Sequence, residues 1–313
     1  NNCKDAIKQL KDKSRFFKNF GNYPSINPNE KLERKLNIGI IGFGRFGQFL
    51  SKYLSEFHNI VATSRSDYTE IAKDMNITFI QEINEFIKND FDIIIFCVSI
   101  MSFEKVIKSI PNTFLENKLI IDVLSVKNMP KNVMLNLDIK SDILCTHPMF
   151  GPDSADNSWK DLPFVYEKVR ISNKYRCDIF LDFFRSMGCK MIELDCKNHD
   201  NYSTNSQFIT HLTGRILKQM EIKSTPINTK GYNHLLEIMK NTCNDNFELF
   251  KGLYNFNENS DYILNKLVDS INEINKELND NINNDKDDMF DDYEDIFFEK
   301  INKYKKNNIN FID

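Results

Sequence analysis

One stretch of the chain decides the fold, at residues 36–47: Leu-Asn-Ile-Gly-Ile-Ile-Gly-Phe-Gly-Arg-Phe-Gly. An apolar, isoleucine-rich run ends in the pattern Gly-x-Gly-x-x-Gly and continues into a segment with helical periodicity. This order of strand, glycine turn and helix start binds the pyrophosphate of a dinucleotide. Gly42 permits the tight turn, Gly44 lets the backbone approach the phosphates, and Gly47 lets the helix pack close to the strand. The predicted cofactor contacts in this stretch are Gly42, Gly44, Arg45, Phe46 and Gly47.

The end of the second predicted strand, at residues 58–63, indicates which dinucleotide binds. An acidic residue there would hold the ribose 2′-hydroxyl of NAD. The chain instead continues as Ser64-Arg65-Ser66, and Asp67 lies beyond the usual position. A guanidinium forms charge-assisted hydrogen bonds to phosphate oxygens, and the serines add neutral donors. The sequence therefore favours NADP over NAD, with a solvated polar loop as the alternative interpretation.

Composition excludes several classes of function. The 313 residues suffice for two domains, and 41 Lys and Arg against 45 Asp and Glu give a net charge of −4, which does not favour nucleic acid as a partner. No apolar stretch approaches the ~20 residues of a membrane helix. The seven cysteines form no C-x-x-C pair, so we expect free thiols, and Cys97 and Cys145 to be buried. The histidines lack ligand spacing, so we expect no metal site.

The pattern along the chain predicts an α/β protein: a Rossmann-type doubly wound parallel sheet followed by an all-α dimerisation and substrate domain. Short apolar runs alternate with amphipathic segments in the first part. Beyond the first two strands, predicted strands lie at 77–80, 91–98, 119–123, 142–146, 164–166 and 191–194. Predicted helices of the second part lie at 206–221, 232–240, 246–255 and 261–278.

Four regions follow from this pattern. Residues 1–36 form an N-terminal extension, either the remains of a targeting segment or a disordered arm. Residues 37–196 form the NADP-binding domain and residues 197–282 the helical domain, through which we expect a homodimer. Residues 283–313 form a charged, solvated tail.

Several polar segments follow the predicted strands, where doubly wound folds bind their ligands. Ser125 follows the strand at 119–123, and His147 follows the strand at 142–146. His199 and Asp200 open the helical part, and Asp245 lies near the end of one of its helices.

These segments carry a resemblance to a known family. The motifs are GFGRFG (42–47), SRSDY (64–68), DVLSVK (122–127), THPMFGP (146–152), DLPF (161–164), HD (199–200), SQFITH (206–211), STPINTKGY (224–232) and NT-x-x-D-x-F (241–247). In combination, from about residue 37 to 280, the chain resembles plant-type arogenate dehydrogenase, of the prephenate dehydrogenase family of tyrosine biosynthesis.

The resemblance implies an oxidative decarboxylation. Hydride would leave the ring carbon bearing the hydroxyl for the nicotinamide, the ring carboxylate would leave as carbon dioxide, and the ring would become aromatic. His147 would accept the hydroxyl proton, and Ser125 would orient the same hydroxyl. Ser99 would meet the nicotinamide end of the cofactor, and His199 would support the site. The residues expected around the substrate ring and carboxylates are Gln207, His211 and Thr229.

Asp245 bears on the choice of substrate. Arogenate carries an α-ammonium where prephenate carries a ketone, and an ammonium calls for an anionic partner. The chain has no arginine between residues 231 and 252, where prephenate-type relatives carry one, and it has Asp245. This favours arogenate. The alternative is that Asp245 only caps the helix that starts near Asn246.

Other functions remain open at this stage. The chain could be a prephenate dehydrogenase, or a β-hydroxyacid-type dehydrogenase that uses Lys218, Lys223 or Lys230. It could also be a non-catalytic NADP-binding sensor or scaffold that docks through its acidic tail. Plastid and cytoplasm are both compatible with the sequence.

Overall fold

The computed structural model describes residues 35–155 and 158–284. The predicted extension and charged tail lie outside these ranges apart from their boundary residues. Within the described ranges the chain forms two compact units, one ending at Ser260 and one beginning at Asp261. The predicted boundary between residues 196 and 197 stays a prediction.

The first unit contains one eight-stranded sheet with the order β3-β2-β1-β4-β5-β6-β7-β8. Every predicted strand is present. The strands are β1 Asn37–Ile41, β2 Asn59–Thr63, β3 Thr78–Phe79, β4 Ile93–Phe96, β5 Leu119–Asp122, β6 Asp142–Pro148, β7 Pro163–Arg170 and β8 Lys190–Glu193.

The predicted doubly wound sheet is confirmed, with one difference at its far edge. Strands β1 to β6 are parallel to their neighbours, but β7 runs antiparallel to β6, and β8 is parallel to β7. A parallel neighbour needs a crossover, usually a helix, whereas an antiparallel strand does not. The described residues between Pro148 and Pro163 form turns and no helix, so the chain returns directly beside β6.

Helices alternate with the strands along the chain and continue after the last strand. They are α1 Arg45–Leu54, α2 Thr69–Asp74, α3 Ile83–Phe86, α4 Ile100–Lys108, α5 Asn112–Leu115, α6 Asn128–Leu135, α7 Lys174–Ser186, α8 Cys196–Ser203, α9 Ile209–Gln219, α10 Lys230–Asn244, α11 Phe247–Asn255 and α12 Ser260–Asn284. The four helices predicted beyond residue 197 correspond to α9, α10, α11 and α12. A π-helical turn, Thr204–Phe208, separates α8 from α9 and was not predicted.

The turn between β1 and α1 is fixed by two of its glycines. Gly42 has φ +104°, and a Cβ there would lie 2.4 Å from the carbonyl oxygen of Cys97. A Cβ on Gly47 would lie 2.1 Å from the carbonyl oxygen of Gly42. At Gly44, by contrast, a Cβ would meet no atom within 4 Å. Two glycines therefore serve the packing of the turn, and the third leaves open space.

An aromatic cluster holds the segment after β6 against α1. The ring centroid of Trp159 lies 5.3 Å from Phe49 and 4.8 Å from Tyr53, both on α1, and 5.2 Å from Phe150. Trp159 is also stacked on Phe184 of α7. Buried aromatic pairs of this kind add to the stabilisation from burial itself. The segment that follows His147 is therefore anchored to the helix that follows the glycine turn.

We expect the glycines of the turn to differ in their effect on stability. Gly47→Ala places a Cβ against backbone that cannot move aside, and should lower the free energy of unfolding by about 1–3 kcal/mol. Gly44→Ala, at an open position with φ −73°, should change it by well under ~1 kcal/mol. Urea unfolding of both variants measures the difference. Equal destabilisation by the two would contradict the packing of the turn.

Candidate active site

The parallel strands bring the predicted site residues to one edge of the sheet. β1, β4, β5 and β6 are neighbours in that order. The glycine turn follows β1, Ser99 begins α4 after β4, Ser125 follows β5, and His147 lies at the carboxyl end of β6. Ligands of open α/β sheets bind outside this edge, at the point where the strand order reverses. Here that point lies between β1 and β4.

The glycine turn fits a dinucleotide. Gly44 is the N-cap residue of α1, no side chain caps the helix, and the space beside its Cα is open. The N–H groups at the start of α1 therefore face a region that a pyrophosphate can approach closely. Phe46 is half-buried and packs on Phe49, with ring centroids 5.8 Å apart. Its cofactor contact stays a prediction.

Arg45 has a partner within the protein. Its Nη2 donates to both carboxylate oxygens of Asp153, at 2.8 and 2.9 Å. Both side chains are exposed, at 62% and 68%, so the pair adds little stability. Asp153 lies in the segment after β6, and the pair therefore spans from the glycine turn to the segment that follows His147.

The end of β2 carries the residues predicted to select the cofactor. Arg65 and Ser66 are exposed and Ser64 is half-buried. Asp67 is engaged at the start of α2, where its Oδ1 accepts from Thr69 Oγ1 at 2.6 Å and from Thr69 N at 2.9 Å. These hydrogen bonds lower the pKa of Asp67. Asp67, the first acidic residue after β2, is therefore hydrogen-bonded to Thr69 within its own loop.

A row of buried polar side chains forms the centre of the site. His147 is 3% exposed, and its Nδ1 lies 2.8 Å from Nε2 of His199. Nδ1 of His199 in turn lies 2.8 Å from Oδ1 of Asp200. Asp200 also accepts from the backbone N–H groups of Lys127 and Asn128, each at 2.8 Å. The start of α6, the middle of α8 and, through His199, the end of β6 therefore meet at one carboxylate.

The surroundings of His147 keep it neutral. Burial first, and then the neighbouring His199 and Lys127, hold the pKa of His147 well below its usual value. A buried, neutral imidazole at the carboxyl edge can accept a proton from a substrate hydroxyl.

A buried ion pair lies beneath this row. The ammonium group of Lys127 pairs with the carboxylate of Asp122 and donates to the carbonyl oxygen of Thr146 at 2.5 Å. Thr146 Oγ1 donates to the carbonyl oxygen of Asp122 at 2.6 Å. These contacts tie the ends of β5 and β6 together. In the sequence, Lys127 and Asp122 are noticeable only as members of the DVLSVK motif, because nothing in a linear pattern marks a lysine as buried.

Two hydroxyls at the sheet edge complete this part of the site. Ser125 is half-buried, between β5 and α6. Ser99 Oγ lies 2.9 Å from Ser102 Oγ, and its side chain makes no capping hydrogen bond to α4.

The helical part contributes a second polar group. His211 is buried on α9, and its Nε2 lies 3.8 Å from Oδ2 of Asp245. Burial lowers the pKa of His211 and raises that of Asp245, while their mutual attraction opposes both changes. Gln207 lies in the π-helical turn, one helical turn before His211, and accepts from Ser203 Oγ at 3.0 Å. Such turns occur frequently at functional sites.

Asp245 does not cap α11. The N-cap residue is Asn246, whose Oδ1 accepts from Glu248 N at 2.9 Å. The side chain of Asp245 is 38% exposed and faces His211 instead. The capping alternative is therefore wrong. Arg215 donates to the backbone oxygen of Asp245 at 3.4 Å and places a guanidinium beside it.

Thr229 is not brought to this group within one chain. It is the N-cap residue of α10, and its Oγ1 accepts from Tyr232 N at 3.2 Å. α10 packs against α9 near its other end, where Thr242 meets Gly214. Thr229 and Thr242 are separated by about 20 Å of helix at ~1.5 Å per residue. Local capping explains the threonine, and its predicted substrate contact is not supported by this geometry.

A separate cavity of about 300 Å³ lies between α6, α8 and residues 256–259. Asp200 lies on its wall, but neither His147 nor Ser125 does.

The six cysteines within the described ranges are free; Cys145 is buried as predicted, whereas Cys97 is partly buried. Residues 35–155 and 158–284 contain no cluster of metal-ligating side chains. No helix within these ranges is long and apolar enough to span a membrane.

The fold and site together define a class: a dinucleotide-binding α/β protein with a buried, neutral imidazole at the same edge of the sheet as the glycine turn, as in nicotinamide-dependent dehydrogenases. Two family models match the chain. Residues 46–193 match the nucleotide-binding domain of prephenate dehydrogenase, and residues 216–298 match the TYRAAT1-like C-terminal domain.

Comparison with known proteins identifies the family. Arogenate dehydrogenase 2, chloroplastic, of Arabidopsis thaliana is 45% identical over 250 residues, which cover 78% of this chain and 70% of that protein. Arogenate dehydrogenase 1, chloroplastic, of the same plant is 46% identical over 233 residues, or 72% of this chain, but the chain spans only 36% of its length. The chain belongs to the arogenate and prephenate dehydrogenase family, as the resemblance indicated.

A solved structure shows the same fold. Prephenate dehydrogenase from Aquifex aeolicus, in complex with hydroxyphenyl propionate and NAD+, matches with a TM-score of 0.63 at 16% identity, covering 87% of this chain and 98% of that one.

The burial of neutral His147 makes stability depend on pH. The unfolded chain takes up a proton at this residue below a pH of about 6.5, whereas the folded chain takes it up only at lower pH. The unfolded state then binds more protons, so the free energy of unfolding falls as the pH is lowered. We expect His147→Gln to make this slope shallower between pH 7 and 5, by up to about 1.4 kcal/mol per pH unit.

Urea unfolding at a series of pH values measures this slope. His234→Gln, which removes an exposed histidine of α10, is the matched control and should leave the slope unchanged. A slope in His147→Gln equal to that of the unmodified chain would mean that His147 takes up its proton over the same pH range in the folded and unfolded states.

Proposed function

We propose that the chain catalyses the oxidative decarboxylation of L-arogenate to L-tyrosine with hydride transfer to NADP+. The observation that carries this proposal is the buried, neutral His147 at the same edge of the sheet as the glycine turn, in a chain of this family.

His147 acts as the general base. Its imidazole takes the proton of the substrate hydroxyl, a contribution worth about 10²–10⁴-fold in rate. A nicotinamide held at the glycine turn would supply the acceptor for the hydride from the carbinol carbon, and loss of carbon dioxide would make the substrate ring aromatic. Ser125, half-buried at the end of β5, holds the same hydroxyl by a hydrogen bond, and Ser99 meets the nicotinamide end.

Arg65 selects NADP+. Its guanidinium is exposed at the carboxyl end of β2 and forms no ion pair with the described side chains. Ser64 and Ser66 flank it as further donors, and Asp67 is held by Thr69 rather than free to bind a ribose. A 2′-phosphate therefore finds donors where NAD would need an acceptor.

Asp245 recognises the α-ammonium of arogenate. Its carboxylate is partly exposed beside the buried His211, and Asn246, not Asp245, caps the start of α11. Gln207, in the π-helical turn one helical turn before His211, would contact the substrate carboxylates.

Prephenate is the alternative substrate, and one contact favours it. Arg215 lies beside Asp245, and its guanidinium is 4.9 Å from the ring centroids of both Phe247 and Phe250. This positive charge could bind the keto-acid carboxylate of prephenate. A β-hydroxyacid-type reaction has less support, because its candidate bases are all exposed: Lys218, Lys223 and Lys230.

A homodimer is the proposed assembly. Apolar side chains of α12 are exposed at one-residue-per-turn spacing, including Val268 at 48%, Ile271 at 54% and Ile274 at 56%. A second copy of this chain would cover them. Sedimentation equilibrium tests this, and a monomer at micromolar concentration would contradict it.

A plastid location is proposed because both Arabidopsis relatives are named chloroplastic. Imaging of the fluorescently tagged precursor tests it, and cytoplasmic fluorescence would contradict it.

Initial rates of NADP+ reduction with arogenate and with prephenate test the proposed function. We expect kcat/KM to favour arogenate. Asp245→Asn removes the partner of the ammonium and should lower kcat/KM for arogenate by roughly tenfold to hundredfold. The kcat/KM for prephenate should stay unchanged or rise. Glu237→Gln, an exposed acid on α10, is the control.

Three outcomes would contradict parts of this proposal. Preference for prephenate in the unmodified chain would favour the alternative substrate. Arogenate turnover that Asp245→Asn leaves unchanged would remove Asp245 from recognition. Cofactor binding with turnover of neither substrate would favour the sensor or scaffold function.

Arg65→Ser tests the choice of cofactor. Loss of a charge-assisted contact to the 2′-phosphate should raise the Kd for NADP+ by roughly tenfold to hundredfold and leave the Kd for NAD+ within about threefold. Titration of protein fluorescence measures both constants. Lys73→Ser, which removes a nearby exposed charge from α2, should change neither. An equal loss for both cofactors would show that Arg65 does not read the phosphate.

A further inference from the structure

The tautomer of His147 decides whether it can act as a base. A neutral imidazole has one N–H and one lone pair, and only a nitrogen with a lone pair can accept the substrate proton. Nδ1 of His147 is engaged with His199, 2.8 Å away. Proton uptake from the substrate must therefore take place at Nε2, which requires the N–H to be on Nδ1. The hydrogen bonds behind His147 determine which tautomer is present.

Those hydrogen bonds can be assigned from the Asp200 end. An ionised carboxylate only accepts, so Nδ1 of His199, 2.8 Å from Asp200 Oδ1, carries the hydrogen. In a neutral ring the opposite nitrogen, Nε2 of His199, then carries a lone pair. It can only accept from Nδ1–H of His147. The row therefore leaves the lone pair of His147 on Nε2.

Asp200 is itself held in place. Lys127 N donates to its Oδ1 and Asn128 N to its Oδ2, each at 2.8 Å. Its backbone oxygen accepts from Thr204 Oγ1 and from Asn257 Nδ2, both at 2.8 Å. Both carboxylate oxygens already accept from backbone N–H groups, so Asp200 faces His199 as an acceptor. This fixes the direction of both hydrogen bonds: His147 donates to His199, and His199 donates to Asp200.

We propose that His199 and Asp200 are positioning residues for the reaction, which hold His147 with Nδ1 protonated and stabilise the imidazolium that forms when Nε2 takes the substrate proton. This inference rests on the proposed dehydrogenase function. No proton passes along the row: Nδ1–H of His147 continues to donate to His199 while the charge of Asp200 offsets the positive ring. His199 and Asp200 thus affect the rate without touching substrate or cofactor.

Two replacements of His199 separate this role from simple packing. His199→Phe fills the space but offers no acceptor to Nδ1–H of His147. His199→Gln places an amide near the position of Nε2, and its oxygen can accept. We expect His199→Phe to lower kcat by roughly tenfold to hundredfold, with KM values for arogenate and NADP+ within about threefold. His199→Gln should recover most of the loss.

Asp195→Asn is the matched control. Asp195 is an exposed N-cap residue at the start of the same helix, α8, and asparagine caps equally well. Its kcat should equal that of the unmodified chain.

A substrate-free measurement tests the tautomer directly. Histidine labelled with ¹⁵N in the ring gives long-range ¹H–¹⁵N spectra in which each tautomer has a distinct pattern, and the His147→Gln variant assigns the signal. We expect His147 in the unmodified chain to be protonated at Nδ1, and to change to Nε2 or to a mixture in His199→Phe. The unmodified chain and His199→Gln supply this result even where His199→Phe does not fold.

Three results would overturn the inference. They are protonation of His147 at Nε2 in the unmodified chain, an unchanged kcat in His199→Phe, and a loss in His199→Gln as large as that in His199→Phe. The expected tautomer in a chain that turns over neither substrate would instead contradict the proposed function, and with it the catalytic part of this role.

Discussion

The carboxylate of Asp200 is the point on which the arrangement of the site depends. It accepts from two backbone N–H groups at the start of α6 and from His199, while its own helix, α8, starts the helical part of the first unit. Hydrogen bonds to a charged group contribute about 1.5–3 kcal/mol each. The same atoms join the sheet edge to the helices and fix the imidazole that reaches His147.

A second constraint comes from the buried ion pair of Lys127 and Asp122. Both side chains are almost completely excluded from solvent, and burial raises the pKa of Asp122 against the attraction of Lys127. Such a pair adds little net stability, but removal of one partner leaves an uncompensated buried charge. The pair therefore fixes the ends of β5 and β6, near which Ser125 and His147 lie. Replacement of either Lys127 or Asp122 alone should destabilise the fold. The positive charge of Lys127 also lowers the pKa of His147.

Local patterns predicted much of this molecule. The glycine turn, all eight strands and the helices beyond residue 197 follow from apolar periodicity and from the backbone freedom of glycine. The reversal of β7 does not follow, because it depends on a helix being absent between β6 and β7. The π-helical turn before α9 has no sequence signal either, although it positions Gln207 relative to His211.

The individual site residues show the same limit. His147 and Ser125 could be placed at the sheet edge because parallel strands end together. Thr229 could not be placed, because its distance from His211 is set by the way α9 and α10 pack. The position of Asp245 depends on which of two adjacent residues caps α11, and Asn246 takes that role. Roles that arise from burial, such as those of Lys127 and Asp200, require the tertiary structure.

The most direct test of the account is the rate of NADPH formation from arogenate in His147→Asn, with NADP+ affinity measured on the same protein. Asparagine can keep the hydrogen bond to His199 but cannot take up a proton. The account predicts a fall in kcat of about 10²–10⁴-fold, with the Kd for NADP+ unchanged. A His147→Asn variant that turns over arogenate within a few-fold of the unmodified chain would show that the buried imidazole is not the base.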